Sequence, residues 1–204
     1  MWNFAEMSDD EVALQRARYE PLTESVRQLI DATLRTEVDG DVVASVTAEI
    51  DAATDKLRSL QRSETLGINL TPNGDVVAWG NVAIGPRNPL APPLVVVEDG
   101  PTQAHLDIEL GAAYEGAPGH VHGGYSALIL DHLLGHVASH GNPDAVVATG
   151  SISFRYPRPT LLGPVHAEAG ITATDGRKVH VVGHIADREG ATVSAEGLFI
   201  RLKR

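Results

Sequence analysis

The chain has 204 residues, of which 43% are hydrophobic and only 4% are aromatic, so we expect a folded protein whose core is mostly Val, Leu, Ile and Ala. Its formal net charge of −11 argues against a general binder of nucleic acid or of an anionic membrane. The sequence contains no cysteine, which excludes disulfides, thiolate metal sites and a cysteine nucleophile.

The first segment, MWNFAEMSDDEVALQ, carries acidic residues and no long apolar run, so we expect no secretory signal peptide. No apolar stretch reaches the roughly 18 residues that a transmembrane helix requires. We therefore expect a soluble, cytoplasmic protein with no membrane partner.

Residues 1–62 are predicted to form an amino-terminal helical extension. Ser8 and the acidic residues after it are typical of a helix start, and Pro21 is expected to begin a second helix. The segment DGD at residues 39–41 breaks the pattern, and a third helix is predicted from about Val42 to Leu60. These helices contain no residues that suggest chemistry, so we expect them to pack on the rest of the chain or on a partner subunit.

Residues 63–92 differ in composition from the helices before them. The segment TPNGD predicts a turn, and VVAWGNVAI is compatible with a strand. The segment GPRNPLAPPL contains too many prolines for a helix or a central strand. We therefore predict an extended, proline-rich connector that crosses the surface.

Residues 93–204 show the pattern of an antiparallel sheet, interrupted once. Short turn sequences separate consecutive segments rich in β-branched residues, as they do in antiparallel sheets. The interruption, from His122 to about Ser139, is apolar nearly all round, which predicts a buried helix. One buried helix wrapped by a five- or six-stranded antiparallel sheet is the hotdog fold, of the α+β class. The predicted turns are Asp99–Gly100, Asp175–Gly176 and Glu189–Gly190.

The predicted helix begins with an unusual sequence, GHVHGGYSALILDHLLG. Gly123 and Gly124 lie at its start, where the first amides of a helix have no partner within it. Those amides lie at the positive end of the helix dipole and are able to stabilise a developing oxyanion. Asp131 lies in the middle of the same apolar helix. Burial of a carboxylate there costs free energy unless the carboxylate is hydrogen-bonded or takes part in function.

Gly123 and Asp131 are too far apart to serve one reaction within one chain. Helical geometry separates them by roughly 12 Å, whereas an attacking group and an oxyanion donor must both lie about 3 Å from the reacting atom. In a symmetric dimer with antiparallel central helices, Gly123 of one copy faces Asp131 of the other. We therefore predict a dimer with two shared sites if both residues act in the same reaction.

The segment EGAPGHVHGGYSALILDHLLG resembles the active-site segment of hotdog-fold acyl-CoA thioesterases of the PaaI type. The likeness is closest to a subgroup with a P-G-x-x-H-G-G start, and it continues through ATGSISFRYPRPTLLGPVHAEAGI over residues 93–204. The resemblance implies hydrolysis of acyl-CoA in fatty acid metabolism by a homodimer or a dimer of dimers. It implies no separate cofactor, because coenzyme A is part of the substrate.

The resemblance also implies roles for individual residues. Asp131 becomes the general base or the nucleophile that attacks the thioester carbonyl, and the Gly123 amide polarises that carbonyl. His122 orders the helix entrance, and Thr149 assists the water or the carboxylate. The residues implied in binding the acyl group and the phosphates of coenzyme A are Gly124, Tyr125, Arg155, Arg158, Arg177 and Lys178.

One position departs from the family pattern. Many PaaI-type enzymes carry an Asn or Gln seven residues before the first functional glycine, and here that residue is Gly116. The closest subgroup also lacks the amide side chain, so the departure leaves open how the attacking water is positioned.

The histidines raise the alternative of a metal site, because His132, His136 and His140 recur at helical spacing. The sequence contains no H-E-x-x-H motif and no nearby carboxylate pattern that supports a hydrolytic zinc ion. We therefore expect these side chains to lie in the core or at an interface, and we expect no metal.

Two other functions remain open on the sequence alone. A hotdog enoyl-CoA hydratase or dehydratase pairs an Asp with a His about five residues later, as Asp131 and His136 are spaced here, although helical geometry turns the two side chains apart. A non-catalytic acyl-CoA-binding or regulatory protein is the other alternative, but it has no need for Asp131.

Overall fold

The computed structural model describes residues 4–73, 76–139 and 146–202, and nine strands and three α-helices lie in these ranges. The helices are α1 (Asp9–Arg35), α2 (Gly40–Arg58) and α3 (Gly123–Ala138), and a short 3-10 helix covers Ala112–Tyr114. The strands are β1 (Phe4–Glu6), β2 (Ile68–Leu70), β3 (Val76–Val77), β4 (Val97–Glu98), β5 (Gln103–Leu110), β6 (Val147–Arg155), β7 (Gly163–Asp175), β8 (Lys178–Asp187) and β9 (Gly190–Arg201).

Six strands form one antiparallel sheet in the order β4-β5-β7-β8-β9-β6. The tight turns β7–β8 and β8–β9 contain Gly176 and Gly190, whose positive φ angles of 55° and 111° suit glycine. Helix α3 packs on this sheet, chiefly on β7 and β8. The structure therefore confirms the hotdog fold that the sequence predicts, with a helical region before it.

One face of α3 forms the centre of the core. Its apolar side chains meet inward-facing residues of the strands, and burial of each large side chain stabilises the fold by about 1.5–3 kcal/mol. The sheet has glycines where the helix comes closest: a Cβ atom at Gly183 would lie 2.7 Å from Leu134 Cδ1, and one at Gly197 would lie 3.1 Å from Leu134 Cδ2. The large buried side chains of this helix face are Ile129, Leu130, Leu133, Leu134 and Val137, and the smaller Ser126 and Ala138 are buried as well.

The amino-terminal region differs from the prediction at Pro21, which lies inside the single helix α1. The expectation of a new helix at this proline was wrong, because contacts on both sides of it hold one continuous helix. On one side, Val12 is buried and packs with Trp79. On the other, the Arg27 guanidinium donates hydrogen bonds to the carbonyl oxygens of Asn88 and Ala91.

The connector is more structured than an extended segment. Strands β2 and β3 join β1 in a separate three-stranded sheet, and the buried Trp79 indole donates a hydrogen bond of 2.8 Å to Asn69 Oδ1. The sequence VVAWGNVAI forms a strand only at its first two residues. Beyond the strand the chain turns, and Asn81 Oδ1 accepts hydrogen bonds from the amides of Ala83 and Ile84 in this turn. No helix in the described part of the chain is long and apolar enough to cross a membrane.

We predict that Gly183→Ala lowers the free energy of unfolding by about 1–3 kcal/mol, because the new methyl group overpacks the contact with α3. The added Cβ would meet both Leu134 Cδ1 and the Glu168 carbonyl oxygen at 2.7 Å. Urea denaturation followed by circular dichroism measures the change. Gly170→Ala is the matched control in the neighbouring strand, because a Cβ there lies 3.5 Å from its nearest neighbour, Gln103 Cγ, and so fits. Equal effects at both positions would contradict the packing explanation.

Candidate active site

Helix α3 exposes one stripe of side chains, which lines a cleft of about 530 Å³. The predicted burial of this helix holds on the face that the sheet covers, and the stripe on the opposite face is open in the single chain. Strand β6 and the connector supply the other walls of the cleft. The lining residues are Gly124, Ala127, Leu128, Asp131 and His132 from α3, Thr149, Ile152 and Phe154 from β6, and Asn81, Val82 and Ala83 from the connector.

Asp131 and Thr149 meet in this cleft. The Thr149 hydroxyl donates a hydrogen bond of 3.1 Å to Asp131 Oδ1, and the carboxylate is otherwise exposed to solvent. The register of β6 against β9 shifts between Thr149 and Ser151, so Gly150 is a bulged residue. A Cβ atom at Gly150 would lie 3.0 Å from the Leu198 carbonyl oxygen, which explains the glycine. The bulge lies next to the threonine that contacts the carboxylate.

His122 is the N-cap of α3. Its Nδ1 accepts a hydrogen bond of 3.0 Å from the Gly124 amide, and its carbonyl oxygen accepts hydrogen bonds from the amides of Tyr125 and Ser126. No residue in the described ranges accepts a hydrogen bond from the Gly123 amide. The Gly123 amide is therefore the donor at this helix start that remains available to a ligand.

Steric contacts explain why position 116 is glycine, where many PaaI-type enzymes carry Asn or Gln. A Cβ atom at this position would lie 2.8 Å from His122 Cα and 3.0 Å from His122 Cβ. The Gly116 amide also donates to the His120 carbonyl oxygen, which holds the loop in this arrangement. An Asn or Gln side chain does not fit here unless the backbone moves.

His132 lies beside Asp131 on the lining of the cleft. Burial, with a smaller contribution from the neighbouring His136, lowers the pKa of His132 to about 4. Its imidazole is therefore neutral at pH 7. The side chain next to the carboxylate does not provide a positive charge that would weaken Asp131 as a base.

The predicted phosphate-binding residues do not form one cluster within a chain. Lys178 of β8 and Ala148 of β6 both pair with Ile200 of β9, which lies between the two strands. Arg155 of β6 pairs with Ser194, nearer the other end of β9. Six residue-to-residue steps separate Ser194 from Ile200, which is about 20 Å along β9. Arg177 directly precedes Lys178, so these two cations lie together at one end of the sheet and Arg155 lies near the other.

Arg158 already has a partner within the chain. Its guanidinium donates hydrogen bonds to both carboxylate oxygens of Asp187 and to the Gly190 carbonyl oxygen. The hydrogen bond from Arg158 holds the pKa of the buried Asp187 carboxyl well below its usual range. The role of Arg158 in phosphate binding stays a prediction, and a phosphate would compete with Asp187 for the same guanidinium group.

Tyr125 packs away from the cleft lining. Its ring meets Tyr114 edge-on at 4.8 Å between centroids, at the border of the core. Leu128, which the stripe exposes, is the closer neighbour of Asp131 on the helix surface. The role of Tyr125 in the acyl pocket stays a prediction.

Some residues at this site have no signal in the sequence. Asn81 and Val82 reach the cleft from the connector, far from α3 along the chain. Tyr156 donates a hydrogen bond of 3.1 Å to the Gly123 carbonyl oxygen from the loop after β6. Neither periodicity nor motif spacing relates these positions to the helix, because tertiary packing alone brings them together.

The geometry separates His136 from Asp131. His136 Nε2 lies 3.3 Å from Glu98 Oε1 of β4, outside the lining of the cleft. The pairing required for a hydratase is thus not formed in the chain. In the described residues, no group of three His, Asp or Glu side chains is arranged to hold a metal ion, and His140 lies outside them.

Comparisons with known proteins identify the family of this chain. A family model described as the thioesterase superfamily matches residues 118–194. The crystal structure of a thioesterase superfamily protein is 35% identical in sequence, with a TM-score of 0.75 and 89% of each chain covered. The chain belongs to the thioesterase superfamily. Membership supports a thioesterase activity in general terms, while the P-G-x-x-H-G-G subgroup stays a prediction.

More distant structures of the superfamily's fold match only part of the chain. The PaaI protein of E. coli, from the phenylacetic acid degradation operon, is 12% identical, with a TM-score of 0.50, over 54% of this chain and 80% of that one. AziG of S. sahachiroi is 16% identical, with a TM-score of 0.50, over 54% of this chain and 92% of that one. At these identities the likeness shows the fold alone. A search of curated proteins gave no match.

Proposed function

We propose that this member of the thioesterase superfamily is an acyl-CoA thioesterase, which hydrolyses an acyl-CoA to the free acid and coenzyme A. The observation that carries the proposal is the hydrogen bond from Thr149 to Asp131 in an open cleft. A thioester is already activated, so a carboxylate base and an oxyanion donor suffice for its hydrolysis. The cleft wall formed by Leu128, Ile152 and Phe154 is apolar and suits an acyl chain.

The proposed reaction uses Asp131 as the general base. Asp131 takes a proton from water as the water oxygen adds to the thioester carbonyl carbon, and the Gly123 amide stabilises the oxyanion that forms. The carbon–sulfur bond then breaks, and the leaving thiolate receives the proton. Thr149 holds the carboxylate in one orientation throughout, since it donates to Oδ1 and leaves Oδ2 for the water. In the alternative route, Asp131 attacks the carbonyl directly as a nucleophile.

The proposed active unit is a dimer, because Gly123 and Asp131 lie roughly 12 Å apart along one helix. Strand β6 is an edge of the six-stranded sheet, and most of its residues are exposed. An exposed edge strand presents backbone groups that pair readily with a second strand. Antiparallel pairing of two β6 edges about a two-fold axis puts the two α3 helices side by side in opposite directions.

The same arrangement accounts for the separation of the predicted phosphate-binding cations into two groups at opposite ends of the sheet. Antiparallel pairing of β6 brings the Arg155 end of one copy to the Val147 end of the other. Arg177 and Lys178 lie at that second end of the sheet. In the proposed dimer, cations from both copies therefore flank each site and are available to the phosphates of coenzyme A.

We predict that Asp131→Asn lowers kcat for acyl-CoA hydrolysis by about 10²–10⁴-fold, because it removes the basic oxygen and keeps the side-chain shape. Release of the free thiol, followed with a chromogenic reagent over a panel of acyl lengths, measures the rate. The melting temperature should change little, because Asp131 is exposed in the cleft. Asp107→Asn is the matched control, because Asp107 is also exposed but binds His166 on β7.

Two results would contradict this role. A near wild-type rate in Asp131→Asn means that Asp131 is structural and that the proposed mechanism is wrong. A wild-type protein that binds acyl-CoA but releases no thiol with any chain length is a non-catalytic acyl-CoA-binding protein.

We predict that mixed dimers of Gly123→Pro and Asp131→Ala recover activity, although each variant alone is inactive. Gly123 is the first residue of α3, where proline is tolerated, so the substitution removes the amide donor and keeps the helix. A shared-site dimer with one subunit of each kind retains one intact site, so the recovered kcat should approach about half of the wild-type value per dimer. Proven subunit exchange without recovery would rule out a site shared between copies.

We predict that the Arg177→Ala, Lys178→Ala double variant raises KM for acyl-CoA about tenfold or more, because a phosphate loses charge-assisted hydrogen bonds. A thioester of N-acetylcysteamine lacks the nucleotide, so its KM should change little. Arg188→Ala is the control for loss of an exposed cation elsewhere on the sheet, because Arg188 is exposed in the β8–β9 turn. A similar increase with both substrates would show that these cations do not bind the nucleotide.

A further inference from the structure

Helix α2 carries an apolar seam that no other element in the described part of the chain covers. None of the residues of this 19-residue helix is buried, and it is an amphipathic helix with its apolar side in solvent. Val43 is 47% exposed and Leu57 is 54% exposed. The apolar seam consists of Val43, Val46, Ile50, Ala53 and Leu57, and Leu60 continues the spacing just beyond the helix end.

The spacing of the apolar seam is that of a coiled coil. Successive members are three and four residues apart in alternation, which places them at the a and d positions of a heptad repeat. This period of 3.5 residues keeps the seam facing a second helix along its whole length, about 28 Å for α2. Helix α1 does not fill this role, because it makes no substantial contact with α2 in the described ranges and its buried Val12 packs with Val77 and Trp79. The seam therefore fits a helix from another molecule.

The charges beside the apolar seam identify that helix and its direction. Glu49 and Lys56 are the charged residues at the g positions, which face one another in an antiparallel pair of identical helices, and the remaining g position of α2 is Val42. The antiparallel pair forms two Glu49–Lys56 ion pairs, one on each side of the two-fold axis. A parallel pair puts each g residue opposite an e residue instead, and the e positions are the uncharged Thr47 and Thr54.

Side-chain volume favours the same arrangement. In the antiparallel register, Ile50 of one helix packs against Ala53 of the other, and Val46 packs against Leu57. Each layer then combines a larger and a smaller side chain. A parallel pair stacks Ala53 on Ala53, which leaves a void in the middle of the seam, and such voids are destabilising.

We propose that α2 binds the α2 helix of a second copy of this chain as an antiparallel helix pair. The contact is separate from the edge of β6 and does not rest on the thioesterase proposal. It gives the amino-terminal region a function in assembly, since α2 makes no substantial contact with another element of its own chain in the described ranges.

Disulfide trapping tests the proposal cleanly, because the natural chain contains no cysteine. We expect that full-length Val46→Cys mixed with full-length Leu57→Cys forms a disulfide-linked dimer under mild oxidation, seen on a non-reducing gel. Each variant alone should give little of this product, because identical positions lie apart in an antiparallel pair. The matched control is Ala48→Cys mixed with Asp55→Cys, which are at the same level on the outer face of the helix.

The outcomes separate the possible arrangements. Efficient cross-linking of each variant with itself indicates a parallel pair and overturns the proposal. A yield from the mixture no higher than that of the outer-face control also overturns it. Thiol release from an acyl-CoA in the same samples reports the proposed activity separately, so failure of one proposal is not mistaken for failure of the other.

A second measurement does not depend on cysteine chemistry. We expect Ile50→Glu to raise the dissociation constant of the α2-mediated association about tenfold or more, measured by light scattering over a concentration series. Glu49→Lys should weaken the association by about fivefold, and the Glu49→Lys, Lys56→Glu double variant should restore it. The unfolding curve should change little in a dilute sample, because Glu49 and Lys56 are exposed in the single chain and Ile50 is only half-buried. An unchanged association in Ile50→Glu would overturn the proposal.

Discussion

The packing of α3 against the six-stranded sheet is the contact on which the other features of this protein depend. Leu134 occupies the space that Gly183 and Gly197 leave open, so the helix lies closer to β8 and β9 than a larger residue would allow. This contact determines which face of the helix turns away from the sheet. Asp131 is on the open face, where Thr149 reaches it from β6. Apolar packing thus positions a carboxylate that makes no contribution to the core.

The loop before α3 is shaped around His122. Its side chain caps the Gly124 amide, and its backbone leaves no space for a side chain at Gly116. One residue therefore closes the start of the helix, leaves the Gly123 amide available and explains the departure from the family pattern. Any water-positioning group in the proposed reaction has to come from elsewhere, and the connector brings Asn81 to the same cleft.

In the described part of the chain, three uncovered surfaces enter the proposals for contact with a second copy. The stripe of α3 opens into a cleft, β6 is a free edge of the sheet, and the apolar seam of α2 faces solvent. Exposed apolar surface and unpaired strand edges favour association. The proposed contacts through β6 and through α2 lie on different elements, so both are able to form in one assembly, such as a dimer of dimers.

The sequence by itself determined the features that depend on neighbouring residues. Helix α3 and the strands after it follow from periodicity and from turns such as Asp175–Gly176, because local backbone preferences specify them. Only the tertiary structure decided that α1 continues through Pro21, that Asn81 reaches the cleft and that Arg158 binds Asp187. These outcomes depend on contacts between residues far apart in the chain, whose energies outweigh local preference and leave no periodic signal. The same reason explains why the helix pattern indicated burial but not which face the sheet leaves open.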